Sequence, residues 1–274
     1  GTSKSKNVTM QAAILPISAG WQWIIDGFNL FRRQPLAMFF WSLMTGLLIT
    51  LTYLIPLFGQ VFLIAAMPSL TYITLNACRH IEAGRPMLPG MWLTPLKDAP
   101  ARNGLIRLGL AYLACCLAAG FVATVPFLDQ IMTALNSETF DETAFLSAIQ
   151  GPFLTFGLLY ILISALFWHA PALIGWHRLK MSQALFFSMV ACWRNKFPFL
   201  LYGATWIGLF FVAQTLGNIL SASGLSATVA QLFMTPVNLV MAAILYCSFY
   251  PTYLSIFGRT YSQADQTGSS PDGN

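Results

Sequence analysis

Charged side chains are scarce in this 274-residue chain. Asp, Glu, Lys and Arg together make up 8% of it, whereas 57% of the residues are hydrophobic and the mean hydropathy is +0.66. A soluble domain of this length needs far more polar surface, so the composition excludes an ordinary water-soluble protein and indicates a lipid environment. No basic run has the density typical of nucleic-acid binding, and we expect no nucleic-acid partner.

Acidic residues are missing from every long apolar stretch of the sequence. General acid and base catalysis commonly uses positioned carboxylates, and proton-coupled transport usually needs a buried Asp, Glu or His relay. We therefore expect a protein that is not an enzyme and that carries no cofactor.

Candidate metal ligands form two weak groups. The first group is Cys78, His80, His169 and His177, and the second is Glu138, Asp141 and Glu142. The first group has residue types that suit zinc or copper, but its spacing matches no ligand motif. The second could hold calcium through carboxylate oxygens, again without a recognisable motif. We predict no metal site.

Four charge-free runs locate the membrane-spanning segments. They cover residues 34–78, 108–128, 143–176 and 197–258, and a helix needs about 20 apolar residues to cross a bilayer. The first and last runs are long enough for two crossings each, with breaks at 56–59 and 221–224. We predict an all-α integral membrane protein whose six spans lie at about 35–54, 58–77, 106–127, 152–173, 197–217 and 232–254.

The six spans make one predicted membrane domain, residues 10–259. We expect residues 1–9 to be an expression scar or a short tail ahead of Met10. Residues 260–274 are rich in Ser, Gly, Asp and Gln, and we expect them to be a disordered cytoplasmic tail.

Basic residues fall on one side of the predicted spans. All 14 Lys and Arg lie in segments on the same side as the two termini, and the three loops on the other side contain none. The positive-inside rule then predicts a multi-pass protein of the bacterial inner membrane with both termini in the cytoplasm. Membrane lipids are the expected partners, because each cation near an anionic headgroup surface contributes about 1 kcal/mol.

The chain also contains an internal repeat. The stretch from Phe31 to Pro35 before the first span resembles Trp193 to Pro198 before the fifth, and Pro68, Pro171 and Pro251 recur in every second span. We predict three units, each an amphipathic elbow helix followed by a hairpin of two spans, with prolines disrupting the middle elbow. Such repetition is common in transporters, and it is equally consistent with simple growth of a membrane bundle.

The elbows are predicted to lie at the membrane surface. In the first elbow Trp21, Ile24, Phe28 and Phe31 recur at spacings of three and four, which is typical of an interfacial helix. Tryptophan and basic residues cluster on the same side of the membrane. The predicted membrane-surface anchors are Trp21, Trp23, Arg32, Arg33, Trp193, Arg194 and Lys196.

Polar residues around the three prolines form the candidate site. Its predicted members are Pro68, Ser69, Thr71, Tyr72, His169, Pro171, Pro251, Thr252 and Tyr253. If the three units pack about one axis, these groups would line a polar vestibule open to the cytoplasm. Alternatively, they repair proline kinks and join helices by hydrogen bonds. His169 is either functional, as an ionisable residue within a span, or interfacial beside Trp168.

The motifs carry one family resemblance. The segments GWQWIIDGF at 20–28, FRRQP at 31–35, APALI at 170–174 and ALFFS at 184–188 resemble a family of uncharacterised proteobacterial inner-membrane proteins of about this length. The resemblance covers residues 10–259 and implies no activity, cofactor or binding residue. The repeat is also loosely similar in style to the membrane domains attached to some glycerophosphodiesterases, whose catalytic domain is not in this chain.

Two functions are consistent with these features. The repeat, the prolines and the inward polar groups favour a protein that handles a lipid or small amphiphile, or forms a passage for one. The alternative is an assembly protein that docks another membrane protein or a second copy of itself. A water-accessible cavity favours the first function, and a dry bundle with an exposed apolar seam favours the second.

Overall fold

The computed structural model describes residues 12–258, and this part of the chain is built from helices without any β-strand. The predictions for residues 1–9 and 260–274, and the basic residues at 4, 6 and 259, lie outside it. The helices are α1 (Ala19–Arg33), α2 (Pro35–Tyr53), α3 (Phe58–Glu82), α4 (Ala99–Thr124), α5 (Leu128–Leu135), α6 (Glu142–Phe167), α7 (Ala170–His177), α8 (Met181–Arg194), α9 (Lys196–Ala222) and α10 (Ala227–Tyr253).

Short turns of other helix types connect these elements. Three are 3₁₀ turns, at Pro89–Met91, Thr94–Lys97 and Val125–Phe127, and a π-helical turn at Leu254–Gly258 extends α10. The prolines at two of these turns explain why no regular elbow helix forms between α3 and α4.

Six helical segments in the described region are long and apolar enough to cross a membrane. They correspond to α2, α3, α4 with α5, α6 with α7, α9, and α10 with its π turn. Each predicted span overlaps one of them, because a charge-free run in lipid satisfies its backbone polar groups by forming a helix. The prediction of six helical spans is confirmed.

The two elbow helices, α1 and α8, lie at the end of the bundle where α2, α4 and α9 begin and where α3, α7 and α10 finish. We call this the elbow end, and the opposite end, with the loops at 54–57, 125–141 and 223–226, the hairpin end. Neighbouring spans follow the order α9, α10, α2, α3, α4, α6, with α3 also touching α10. No extended contact joins α6 to α9, so the row does not close into a ring.

Helix α1 packs against the bundle through glycine. A Cβ atom added to Gly20 would lie 2.2 Å from the carbonyl oxygen of Pro198 in α9, and one added to Gly27 would lie 2.7 Å from Ser248 in α10. Small residues let helix backbones approach this closely, as is common between membrane helices. The elbow is therefore docked tightly on the last two spans.

Trp23 corrects one of the surface-anchor predictions. Its side chain is 1% exposed, and its ring Nε1 donates to Ser255 Oγ at 2.7 Å. The ring packs against Phe199 and Tyr202 of α9. The face of α1 that contains Trp23 and Leu30 is buried in the protein, together with Ile24 of the predicted interfacial stripe, while Trp21 and Phe28 of that stripe remain exposed.

Candidate functional site

The helix break between α6 and α7 is the starting point of the site. Pro171 has no N–H group and cannot continue the hydrogen-bond ladder, so the helix is interrupted at Trp168 and His169. Ser188 of α8 fills the gap: its Oγ accepts from the His169 N–H at 3.0 Å and donates to the Ala165 carbonyl at 2.7 Å. A side chain inserted in this way is a known cause of a sharp bend.

An open cavity lies beside this break, between α3, α4, α6, α7 and α10. It contains about 820 Å³ of empty space, part of which is continuous with the outside. Two of the three repeated prolines, Pro68 of α3 and Pro171 of α7, line it together with Tyr253 at the end of α10. The cavity therefore forms where the irregular parts of three spans converge.

The cavity wall is mainly apolar and carries several neutral polar groups. Tyr112 and Tyr160 share a hydrogen bond between their hydroxyl groups at 2.8 Å, and Thr71 donates from Oγ1 to the Met67 carbonyl at 2.9 Å. Ser164 adds another hydroxyl. None of the described residues that line the cavity is Asp, Glu, Lys or Arg. Such a wall suits an apolar molecule with an uncharged polar end.

His169 is the most unusual residue of this wall. It is 1% exposed, and its ring meets the rings of Phe199 and Phe257 edge-on, at centroid distances of 6.0 and 5.1 Å. Among residues 12–258, neither Nδ1 nor Nε2 has a hydrogen-bond partner. A buried polar atom without a partner costs about 1–3 kcal/mol. Such atoms are rare in native structures and often mark a site for a ligand or an ordered water.

The cavity wall is more deeply buried toward the elbow end. Leu75 and Tyr253 are buried there, and Tyr253 packs against Trp176 at a ring distance of 5.1 Å. In contrast, Met67 and Tyr160, which lie nearer the hairpin end, are 41% and 38% exposed. Buried side chains and aromatic packing therefore surround the cavity on its elbow side. The vestibule open to the cytoplasm stays a prediction.

One known protein is similar over almost the whole chain. A probable inner membrane protein of Burkholderia thailandensis is 34% identical over 262 residues, a match that covers 91% of this chain and 94% of that protein. The chain belongs to the family of this inner membrane protein. The resemblance to proteobacterial inner-membrane proteins is confirmed, and with six membrane-length helices the chain is an integral membrane protein. No family model and no solved structure matches it.

The structure of this inner-membrane family member brings together five of the nine predicted site residues. Those that line the cavity are Pro68, Thr71, His169, Pro171 and Tyr253. The other four, Ser69, Tyr72, Pro251 and Thr252, do not line it. Tyr72 packs on Trp176, Thr252 accepts a hydrogen bond from Trp168 at 3.0 Å, and Pro251 lines a separate pocket beside α1. Tyr72 and Thr252 therefore make contacts between helices, as the alternative interpretation of the proline regions expects, and the polar vestibule stays a prediction.

Six of the predicted surface anchors are exposed at the elbow end. These are Trp21, Arg32, Arg33, Trp193, Arg194 and Lys196. The Lys196 ammonium lies 4.3 Å from the ring centroid of Trp193, and the Arg32 guanidinium lies 5.8 Å from that of Phe28. Their position fits contact with lipid headgroups, and that role stays a prediction.

The candidate metal ligands are not brought together. In the described part of the chain, no three His, Cys, Asp or Glu side chains lie close enough to hold a metal ion. His177 instead hydrogen-bonds to the Tyr253 hydroxyl, and His169 lies in the cavity wall.

The sequence reasoning missed nine of the 14 residues that line the cavity. Five of these nine carry no motif: Tyr112, Tyr160, Ser164, Trp168 and Phe249. The available signal for three of them is a hydroxyl group within a charge-free run, at Tyr112, Tyr160 and Ser164. A hydroxyl at that depth needs a partner, since hydrocarbon offers none.

Proposed function

We propose that the protein binds an uncharged lipid or small amphiphile in the cavity beside the α6–α7 break, and that it holds or passes this molecule within the membrane without chemical change. The observation that carries the proposal is His169, which is one of the residues that line the cavity and whose two buried ring nitrogens have no partner in residues 12–258. A hydroxyl or carbonyl group of a bound molecule would supply the missing hydrogen bond.

The composition of the cavity wall supports the ligand class. Apolar side chains such as Leu75, Phe167 and Phe249 suit a hydrocarbon chain, while His169 and Ser164 suit an oxygen-bearing end. If the polar end of the ligand were charged, none of the described residues that line the cavity would supply an opposite charge. Burying that charge unpaired would cost several kcal/mol. An uncharged amphiphile therefore fits better than an ionised one.

The assembly function receives less support. It predicts a dry, tightly packed bundle, whereas the cavity leaves open space between five helices. Helix α9 exposes many apolar residues, which in a water-soluble protein would indicate a surface for a partner. In a membrane, any helix that faces lipid exposes such residues, so they do not favour the assembly function. A protein partner or a homo-oligomer stays a prediction from the sequence.

The repeat and the orientation also belong to this proposal. Helix α8 packs mainly on α6 and α7, which precede it, and α1 packs mainly on α10, while the 3₁₀ turn at 94–97 contacts both α3 and α4. The similar docking of α1 and α8 on a neighbouring hairpin supports related units. Together with the one-sided basic residues, it supports elbows that lie on the cytoplasmic side of the inner membrane.

A photoactivatable ligand tests the proposal. The full chain in lipid nanodiscs is illuminated with a long-chain alcohol that carries a diazirine in its tail, and the labelled peptides are identified by mass spectrometry. We expect label on α3 and α6 at the cavity wall. The same tail with a carboxylate end should label these peptides less.

A matched pair of variants separates the cavity from the lipid-facing surface. Thr71 and Thr215 both donate to a backbone carbonyl one turn earlier at 2.9 Å, but Thr71 lines the cavity and Thr215 is exposed on α9. Thr71→Leu adds apolar volume to the cavity and should strongly reduce cavity labelling, whereas Thr215→Leu should leave it unchanged. Equal labelling of the two variants would contradict the proposal.

A further inference from the structure

A second open space lies on the surface at the elbow end, between α4 and the turn that joins α7 to α8. It contains about 890 Å³ of empty space, part of which is continuous with the outside, and it is lined by three cationic residues, Arg107, Arg178 and Lys180, together with Asn103. We call it the basic groove. It shares no lining residue with the cavity described above, so it is a separate feature of the molecule.

Two of these cations have side chains without a protein partner in the described region. No hydrogen bond or ion pair joins the side chain of Arg107 or of Lys180 to another residue there, and both side chains are exposed. Arg178 forms an ion pair with Asp98, and its side chain is still 48% exposed. Elsewhere at the elbow end, other cations contact a carbonyl oxygen or an aromatic ring: Arg32, Arg33, Arg79, Arg102 and Lys196. The groove therefore keeps positive charge available for an external anion.

The groove also has an apolar part. Ile174, Leu179 and Met181 line it beside the cations. Arg107 is the last charged residue before the charge-free run 108–128, and α7 ends at His177. The groove therefore lies where the apolar part of the spans meets the polar boundary. This is the depth at which phospholipid headgroups join their acyl chains.

The backbone of Arg178 has an unusual conformation for its residue type. Its φ angle is +55° in the left-handed region, where it ends α7 and where glycine is the usual residue. A side chain at this position strains the backbone, so the ending of α7 does not explain why residue 178 is an arginine. Its guanidinium group in the groove gives the arginine a role.

We propose that the basic groove binds the phosphate of an anionic phospholipid headgroup, with Arg107, Arg178 and Lys180 contacting the phosphate region and the apolar lining contacting the first part of an acyl chain. Inorganic phosphate offers the same anion without the chain. The apolar lining favours the lipid.

Native mass spectrometry of the full chain in detergent tests this assignment, with phosphatidylglycerol as the probe and phosphatidylcholine as the zwitterionic control. We expect tighter binding of phosphatidylglycerol. The variant R107Q/K180Q should bind it about 30-fold more weakly, because each cation near an anionic headgroup contributes a factor of about five. The matched control Arg85→Gln, an exposed cation after α3 that lies outside the groove, should stay within about two-fold.

Arg178→Gly keeps the test independent of folding. Glycine adopts the native backbone angle without strain, so the melting temperature should not fall while phosphatidylglycerol binding weakens. Equal binding by R107Q/K180Q and Arg85→Gln would overturn the assignment, as would equal affinity for the two lipids. Displacement of phosphatidylglycerol by inorganic phosphate, but not by sodium chloride at the same ionic strength, would overturn the lipid as the source of the anion. Cavity labelling by the alcohol probe should be unchanged in R107Q/K180Q, which separates this site from the proposed function.

Discussion

Replacing His169 with leucine should stabilise the protein when no ligand is bound. The two side chains are similar in size, and the residue is fully buried. Leucine has no polar atoms, so the substitution removes both ring nitrogens that lack a partner among the described residues. The backbone N–H of residue 169 keeps its bond to Ser188 Oγ, because this bond does not involve the side chain.

The expected size of the effect follows from two opposing contributions. Removing unpaired buried polar atoms gains about 1–3 kcal/mol. Losing the edge contacts of the ring with Phe199 and Phe257 costs about 0.5–1.5 kcal/mol. The net stabilisation should be about 1 kcal/mol, which for a chain of this size raises the melting temperature by about 2–4 °C.

His177→Leu is the matched comparison, because the two histidines lie at the same end of the bundle in opposite situations. His177 hydrogen-bonds to the Tyr253 hydroxyl, so its replacement should lower stability by about 0.5–1.5 kcal/mol. The assay is tryptophan fluorescence during thermal unfolding of delipidated protein in detergent. The alcohol probe should stabilise the wild type and not His169→Leu. A melting temperature for His169→Leu as low as that of His177→Leu would refute the reasoning.

Three further predictions concern packing, reactivity and topology. Gly27→Ala should destabilise by about 1–2 kcal/mol in thermal unfolding, because its Cβ would lie 2.7 Å from α10. Gly208→Ala, which meets nothing within 4 Å, should stabilise by up to about 1 kcal/mol, and the same sign for both would contradict the docking of α1. Burial raises the pKa of the Cys192 thiol to about 12, so its reactive thiolate forms near that pH. Iodoacetamide at pH 8 should therefore spare it and modify a cysteine placed at exposed Ser182 of the same helix. In intact cells, an impermeant maleimide should label a cysteine at Ser137 and miss one at Ser182, and the reverse pattern would overturn the orientation.

The helices of this protein follow directly from its sequence. A charge-free run of about 20 residues has one stable form in lipid, so the six spans could be predicted. Pro171 likewise marked the α6–α7 break. Its repair by Ser188 could not be located, since that depends on which elbow packs against α6.

The packing faces were harder to predict for a physical reason. In water, an apolar stripe marks the face that is buried in protein, but in a membrane it may face either protein or lipid. The spacing of apolar residues in α1 therefore indicated a stripe that includes Trp21, but it did not show which face packs on the protein. The face that includes Trp23 is the buried one. Glycine is the better signal in this setting, because Gly20 and Gly27 allow the backbone contact that fixes the helix.

The cavity was predictable only in part for the same reason. The prolines indicated irregular backbone, and Pro68, Pro171 and Tyr253 do meet in one wall. Which other spans join them depends on the neighbour order, which no sequence pattern encodes. The aromatic packing beside the cavity likewise joins distant segments, as between Trp176 and Tyr253.

A high-resolution cryo-EM map of the full chain in nanodiscs of bacterial lipids tests the central claim most directly. The account predicts elongated density in the cavity, with its polar end within hydrogen-bond distance of the His169 ring and its tail between α3 and α6. The result that would contradict it is a map of the same quality in which side chains close the cavity and a protein group hydrogen-bonds to the His169 nitrogens.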